Sequence, residues 1–212
     1  KERIEPFAHE WEEQGFVPRE VLEQMGELGF LGIKYPAQYG GSELDTLATV
    51  VLAEELGRST FGGFAITVLV HTDMASPHLF HAGSPEQLQR YMPDIIAGRK
   101  IAAVAMTEAD AGSDLQSMRT TARRDADGWV LNGSKMFITN GVHGDVYFVA
   151  AKTGDAGRGR EISMFIVEKG TPGFRVERPL KKHGWLSSDT AELVFEECRL
   201  PSDALLGQEH KG

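Results

Sequence analysis

Apolar positions recur at helical spacing through the first 98 residues and at strand spacing after them. Pro18 stands ahead of a segment whose Val21, Leu22, Met25 and Leu28 share one face, and Gly29 stops it. Asp45 is placed to cap a second helix that runs on to Gly57. Residues 61–81 read as one further helix, apolar on most sides as far as Val70 and therefore expected to be buried. Ser84-Pro85-Glu86-Gln87 is a capping box that starts a short helix, expected to end near Tyr91 ahead of Pro93. Gly98-Arg99-Lys100 is the hinge. Beyond it, residues 101–106, 136–141, 146–151, 162–168, 174–177 and 191–198 are short and rich in β-branched or aromatic residues. Asp127-Gly128 and Asn132-Gly133 read as hairpin turns between them. Residues 154–160 read as a mobile loop. Strands this frequent, without helices between them, predict a small antiparallel barrel or sandwich. The expected fold is therefore α+β, with an all-helical domain at 1–98 and a small antiparallel β-barrel domain at 99–212.

Composition narrows the class. Lys and Arg number 22 against 31 Asp and Glu, a net charge of −9, which argues against generic nucleic-acid binding but leaves room for an anionic ligand held locally. The single cysteine, Cys198, excludes an internal disulfide framework and suits a reducing compartment. No apolar run approaches the ~20 residues of a membrane span, so a soluble protein is expected, and no signal or transit peptide is read at the start, although the chain begins with Lys1. His71, His78 and His81 invite a metal reading, but the ligand spacing is incomplete and Pro77 interrupts it, so no metal site is expected. Adjacent Glu54 and Glu55 read as a solvated helix face.

The chemistry concentrates at 101–141. A short apolar strand delivers the Thr107 hydroxyl at its end, and the small-residue loop at 109–114 brings Gly112 and Ser113, the composition expected where backbone amides meet phosphate. A second polar-tipped strand follows at 136–141, so two tips are placed to face one ligand. Taken singly, Thr107 and Thr139 read as strand-end hydroxyls and Phe137 as core; their joint spacing favours a site. Glu108 and Asp114 read as loop-capping groups rather than acid or base, and Arg123, Arg124 and Lys135 as solvated.

Ala105-Met106-Thr107-Glu108 with Gly112-Ser113-Asp114 and Ser117, then Asn132-Gly133-Ser134-Lys135 and Phe137-Ile138-Thr139-Asn140-Gly141, resemble the flavin-binding middle domain of the acyl-CoA dehydrogenase family. The run from Asp189 to Glu196, with Leu200-Pro201 and Leu205-Leu206-Gly207, resembles the end of that domain and most closely its long-chain members. Pro36, Tyr39, Gly40 and Gly41 match a loop of the helical domain, so the resemblance covers essentially the whole chain. Ala109-Asp110 stands where many relatives have Pro-Gly, and Phe137 where many have Trp.

The resemblance implies FAD as cofactor, lined by Val104, Ala105, Met106, Thr107, Gly112 and Ser113 on one tip and by Phe137, Ile138 and Thr139 on the other. It implies an acyl-CoA substrate touched by Ser113 and Ser188, and dehydrogenation of medium to long acyl chains to trans-2-enoyl-CoA, as in fatty acid β-oxidation. It places the general-base glutamate beyond Gly212, on a C-terminal four-helix bundle absent from these residues. Electron-transfer flavoprotein is the implied partner, a homo-dimer or tetramer the implied assembly, and the cytoplasm, or the mitochondrial matrix in a eukaryote, the implied location. The alternatives are a flavin oxidase or monooxygenase on the same scaffold, or a flavin- or acyl-CoA-binding module without turnover. All of these require the two tips to meet.

Overall fold

The computed structural model describes residues 2–154 and 161–212; most of the loop expected to be mobile at 154–160 lies outside them. The helical part consists of α1 (Ala8–Gln14), α2 (Arg19–Glu27), α3 (Thr46–Gly57), α4 (Gly62–Leu69), α5 (Ser76–Ala82) and α6 (Pro85–Ile96). The strands are β1 (Ala102–Ala105), β2 (Thr121–Asp125), β3 (Gly128–Thr139), β4 (Val146–Lys152), β5 (Ile162–Glu168), β6 (Phe174–Pro179), β7 (Thr190–Pro201) and β8 (Leu205–Leu206). The helix-then-strand order is the one the patterning predicts.

Local signals account for most helix ends. Asp45 accepts from the Ala48 amide at 3.2 Å to start α3, and Ser84 and Gln87 form a reciprocal capping box at α6. Two expectations need correcting. The helix read over 61–81 is interrupted by a wider π-helical turn, Val70–Ala75, before α5. Pro77 has no N–H to continue the regular ladder, and the turn just ahead of it takes up the irregularity. Pro93, expected to terminate α6, lies inside it, because Met92, Ile95 and Ile96 bury their side chains and outweigh one lost backbone bond.

The π turn holds a buried histidine. His71 accepts from the Ala102 amide through Nδ1 at 3.0 Å and donates from Nε2 to the Ile95 carbonyl at 2.9 Å, tying the end of α6 to the start of β1. Complete burial pulls its pKa down to about 4, so the ring is neutral near pH 7.

The strands form one sheet in the order β6-β7-β3-β2-β4-β5-β8, with β1 beside β4. Pairing is antiparallel except for β1 with β4 and a single β2–β4 pair, which are parallel. The sheet curls on itself: Tyr147 of β4 meets Phe174 of β6 edge-on at 4.8 Å, although β2, β3 and β7 intervene along the sheet. Trp129, Leu131, Tyr147, Val149, Phe165, Val167, Leu193 and Phe195 fill the interior of this barrel. The opposite face of β1, β4 and β5, with Ala102, Val146, Phe148, Ala150 and Ile166, packs against α5 and α6. Alternation along the same strands thus serves two cores.

Asn132-Gly133 is no turn. β3 continues through it to Thr139 with a bulge between Leu131 and Gly133. The Asn132 side chain instead clips β7, accepting from the Glu197 amide at 2.8 Å and donating to the Glu197 carboxylate at 2.7 Å. Gly133 has φ +145, and a Cβ there would lie 2.6 Å from Thr120 Cα.

Candidate functional site

The two tips meet. Beyond β1 the chain runs through Met106 and Thr107, and the Thr107 carbonyl accepts from the Met136 amide of β3 at 2.8 Å. A second bulge, between Lys135 and Ile138, releases Met136 and Phe137 from regular pairing with β7. Phe137 adopts φ +61 and leaves its ring 63% exposed, so it is not core. The bulge aims an aromatic side chain outward beside Thr107, a left-handed conformation that a regular strand does not supply.

Lys135, expected on the surface, is buried completely. Its ammonium donates to the Met106 carbonyl at 2.9 Å and to Glu108 Oε1 at 2.8 Å. Glu108 also accepts from the Thr120 amide at 3.1 Å and the Arg119 amide at 2.5 Å, so the loop between β1 and β2 folds around this carboxylate. Burial pushes the Glu108 carboxyl up, but Lys135 and the two amides outweigh it and hold the group below the usual carboxylate range. Burial pulls Lys135 below the usual lysine range, with Glu108 acting in the opposite sense. Arg123 and Arg124, by contrast, are exposed and pair with Glu197 and Glu209.

The sequence-predicted residues divide by environment. Gly112 and Ser113 lie exposed on the loop after Glu108, and nothing comes within 4 Å of where a Gly112 Cβ would stand. Asp114 caps the short 3-10 turn Leu115–Ser117, accepting from the Gln116 amide at 3.2 Å and the Ser117 hydroxyl at 2.5 Å. Val104, Met106, Thr107 and Thr139 are half-buried. Ala105 and Ile138 point into the barrel core, which leaves only their main chain for a ligand.

Ser188 approaches from a third segment. Thr190 is the Cα partner of Thr139, and the Asp189 carbonyl accepts from the Asn140 amide at 3.1 Å, which sets Ser188 at the Thr139 end of β3. The loop before it is gripped by Glu12 of α1, which accepts from the Leu186 amide at 2.7 Å, the Ser187 amide at 3.2 Å and the Ser187 hydroxyl at 2.6 Å. Lys182 closes the loop on the Trp185 and Ser188 carbonyls. Gly63 of α4 allows this approach, since a Cβ there would fall 2.0 Å from the Ser187 hydroxyl. Ser188 Oγ is buried and has no hydrogen-bond partner among the described residues. Sequence reasoning missed Glu12 and Lys135; Lys135 shares strand parity with the buried Trp129 and Leu131, but a turn read at Asn132-Gly133 breaks that strand and hides the signal.

Comparison with known proteins decides the family. The description "Acyl-CoA dehydrogenase, N-terminal domain" matches residues 1–99, and "Acyl-CoA dehydrogenase, middle domain" matches residues 103–198. The chain belongs to the acyl-CoA dehydrogenase family. It is 45% identical to the mitochondrial long-chain specific acyl-CoA dehydrogenase of Mus musculus over 100% of this chain and 49% of that protein. It is 43% identical to the mitochondrial isovaleryl-CoA dehydrogenase of Pongo abelii over 92% of this chain and 46% of that protein. The chain thus spans about half the length of the curated relatives it matches. Among solved structures, an acyl-CoA dehydrogenase from Geobacillus kaustophilus superposes with a TM-score of 0.93 at 41% identity, covering 98% of this chain and 55% of that one. An acyl-CoA dehydrogenase complexed with FAD from Bacillus anthracis superposes with a TM-score of 0.91 at 37% identity, covering 100% of this chain and 36% of that one. Among the described residues no helix is long and apolar enough to cross a membrane, and no group of three or more His, Cys, Asp or Glu side chains is arranged to hold a metal ion.

Proposed function

We propose that these residues form the helical and flavin-binding parts of an FAD-dependent acyl-CoA dehydrogenase that converts medium- to long-chain acyl-CoA to trans-2-enoyl-CoA. The observation that carries this reading is the junction of the tips, the Met136 amide on the Thr107 carbonyl at 2.8 Å, which joins the chain beyond β1 to the bulge of β3 that turns Phe137 outward.

The residues present suit the cofactor. A flavin presents a flat apolar body with a polar edge, and the site offers an outward aromatic ring at Phe137 with hydroxyls at Thr107 and Thr139. A pyrophosphate needs donors without bulk. The amides of Gly112 and Ser113 and the Ser113 hydroxyl have no hydrogen-bond partner among the described residues, and the space over Gly112 is open. In this reading Val104, Ala105, Met106, Thr107, Gly112 and Ser113 hold the cofactor with Phe137, Ile138 and Thr139, while Ser113 and Ser188 contact the acyl-CoA. The unpartnered Ser188 Oγ supports the last assignment, since a buried hydroxyl without a partner is costly.

When bound, FAD supplies the acceptor for a hydride from the acyl β-carbon. The chain's own task is to orient both molecules and exclude water. Proton abstraction from the α-carbon falls to a carboxylate outside residues 1–212. Glu108 is held by Lys135 and two backbone amides, and Asp114 by its own turn, so neither is free to act as base. Electron-transfer flavoprotein as the electron acceptor, a dimeric or tetrameric assembly and, in a eukaryote, a mitochondrial matrix location belong to the same proposal.

The test is anaerobic mixing of the full-length protein with palmitoyl-CoA and, separately, octanoyl-CoA. The reading expects bleaching of the flavin band with both. A spectral shift without bleaching would mean binding without turnover, and peroxide in air would mean an oxidase.

A further inference from the structure

We propose that the buried Lys135–Glu108 pair is a positioning device that sets how tightly and in what orientation the site takes FAD, an inference that rests on the flavin reading above. Lys135 is 0% exposed and Glu108 8%, and their contact is 2.8 Å. A buried ion pair contributes little net stability, because desolvation of both charges offsets their attraction; matched apolar residues in its place are often as stable. The role we assign to this pair is to select a single arrangement, since removing either partner leaves an uncompensated buried charge.

The arrangement fixed here is that of the two tips. The Lys135 ammonium is bonded to the Met106 carbonyl, one residue before Thr107, and Lys135 itself lies one residue before the bulge that turns Phe137 outward. Glu108 follows Thr107 directly, pairs with Ala111 across the start of the Gly112-Ser113 loop, and takes the Arg119 and Thr120 amides where that loop returns to β2. One ammonium and one carboxylate therefore anchor the strand end, the aromatic bulge and both ends of the phosphate-facing loop. Neither group is itself placed to touch a ligand; both act through the main chain.

The experiment uses the full-length protein stripped of flavin, titrated with FAD while flavin fluorescence and the induced circular dichroism of the bound flavin are followed. Unfolding of each apo-protein by urea is measured alongside. Lys135→Met and Glu108→Gln each leave one buried charge unpaired, whereas Lys135→Met with Glu108→Gln leaves none. The inference expects each single variant to weaken FAD by about tenfold or more with an altered induced spectrum, measured in urea-free buffer on the folded fraction. It expects the double variant to recover part of the affinity, because no buried charge is left unpaired and the glutamine oxygen still accepts from one of the two amides that Glu108 holds. Single variants that lose apo stability but bind FAD with unchanged affinity and spectrum would reduce the pair to a structural role and overturn the inference. Should a single variant fail to fold, the double variant decides: affinity and spectrum closer to wild type than about a tenfold loss support the inference, and a folded double variant that binds FAD about tenfold or more weakly than wild type overturns it. A wild-type protein that takes up no FAD at all would overturn instead the flavin reading beneath it.

Discussion

Lys135 and His71 are both buried side chains with nitrogen bases, and they meet burial differently. Lys135 keeps a counter-charge in Glu108, whereas His71 has carbonyl and amide partners that suit a neutral ring. Its folded pKa lies near 4 against 6.5 for the free side chain. Between those values the unfolded chain binds a proton that the folded protein refuses, so stability falls as pH drops from 6.5 to 4 and is unaffected by this group at higher pH. The accumulated loss is about 3 kcal/mol. Urea unfolding across that range should show a loss smaller by about this amount in His71→Gln; equal pH slopes in the two proteins would exclude His71 as the source. Gly133 gives a steric counterpart. Gly133→Ala is expected to cost about 2 kcal/mol or more, read by urea unfolding, from the clash with Thr120 and from φ +145. At the proposed FAD surface, Phe137→Ala should weaken FAD by about three- to tenfold while leaving apo stability unchanged, because its ring is mostly solvent-exposed.

Elements in this chain are set partly by local signals and partly by partners far along the sequence, and that division determines what could be read in advance. The capping box at Ser84 and the Asp45 cap are local and were legible. Pro93 inside α6 was not, because burial of Met92, Ile95 and Ile96 decides it. Asn132-Gly133 carries the local signature of a turn, yet Thr120 and Glu197, from β2's approach and β7, keep it within the strand, opposite a bulge in β7. The Lys135 environment was hidden for the same reason: its charge pointed to solvent, and the carboxylate that pairs with it belongs to another strand end. The parallel seat of β1 beside β4 likewise depends on a contact more than 40 residues away in sequence, Ala102 with Val146. The loop ending at Ser188 depends on Glu12, from the other end of the chain. Glu12→Ala should speed hydrogen exchange at the Leu186 and Ser187 amides by about tenfold or more. Unchanged exchange there would show that Lys182 holds the loop without α1.

At the scale of the whole molecule, the helical layer and the barrel are built as one unit around β1. Its Ala103 and Ala105 face the barrel interior, Ala102 faces α5 and α6, and its first amide is held by His71. The strand that carries the first tip is thus fixed from both sides, and the second tip reaches it through the bulge at Met136 and Phe137. The shift of hydrophobic period near residue 98 announced the two layers, and the spacing of the motifs announced the tips. The central claim is that the surface between Thr107 and Phe137 is where FAD sits. A crystal structure of the full-length protein grown with FAD tests it most directly. The account predicts the flavin ring between the Met106–Thr107 main chain and the Phe137–Thr139 segment, with its pyrophosphate on the Gly112 and Ser113 amides. A flavin bound elsewhere, with that surface covered only by protein, would contradict it.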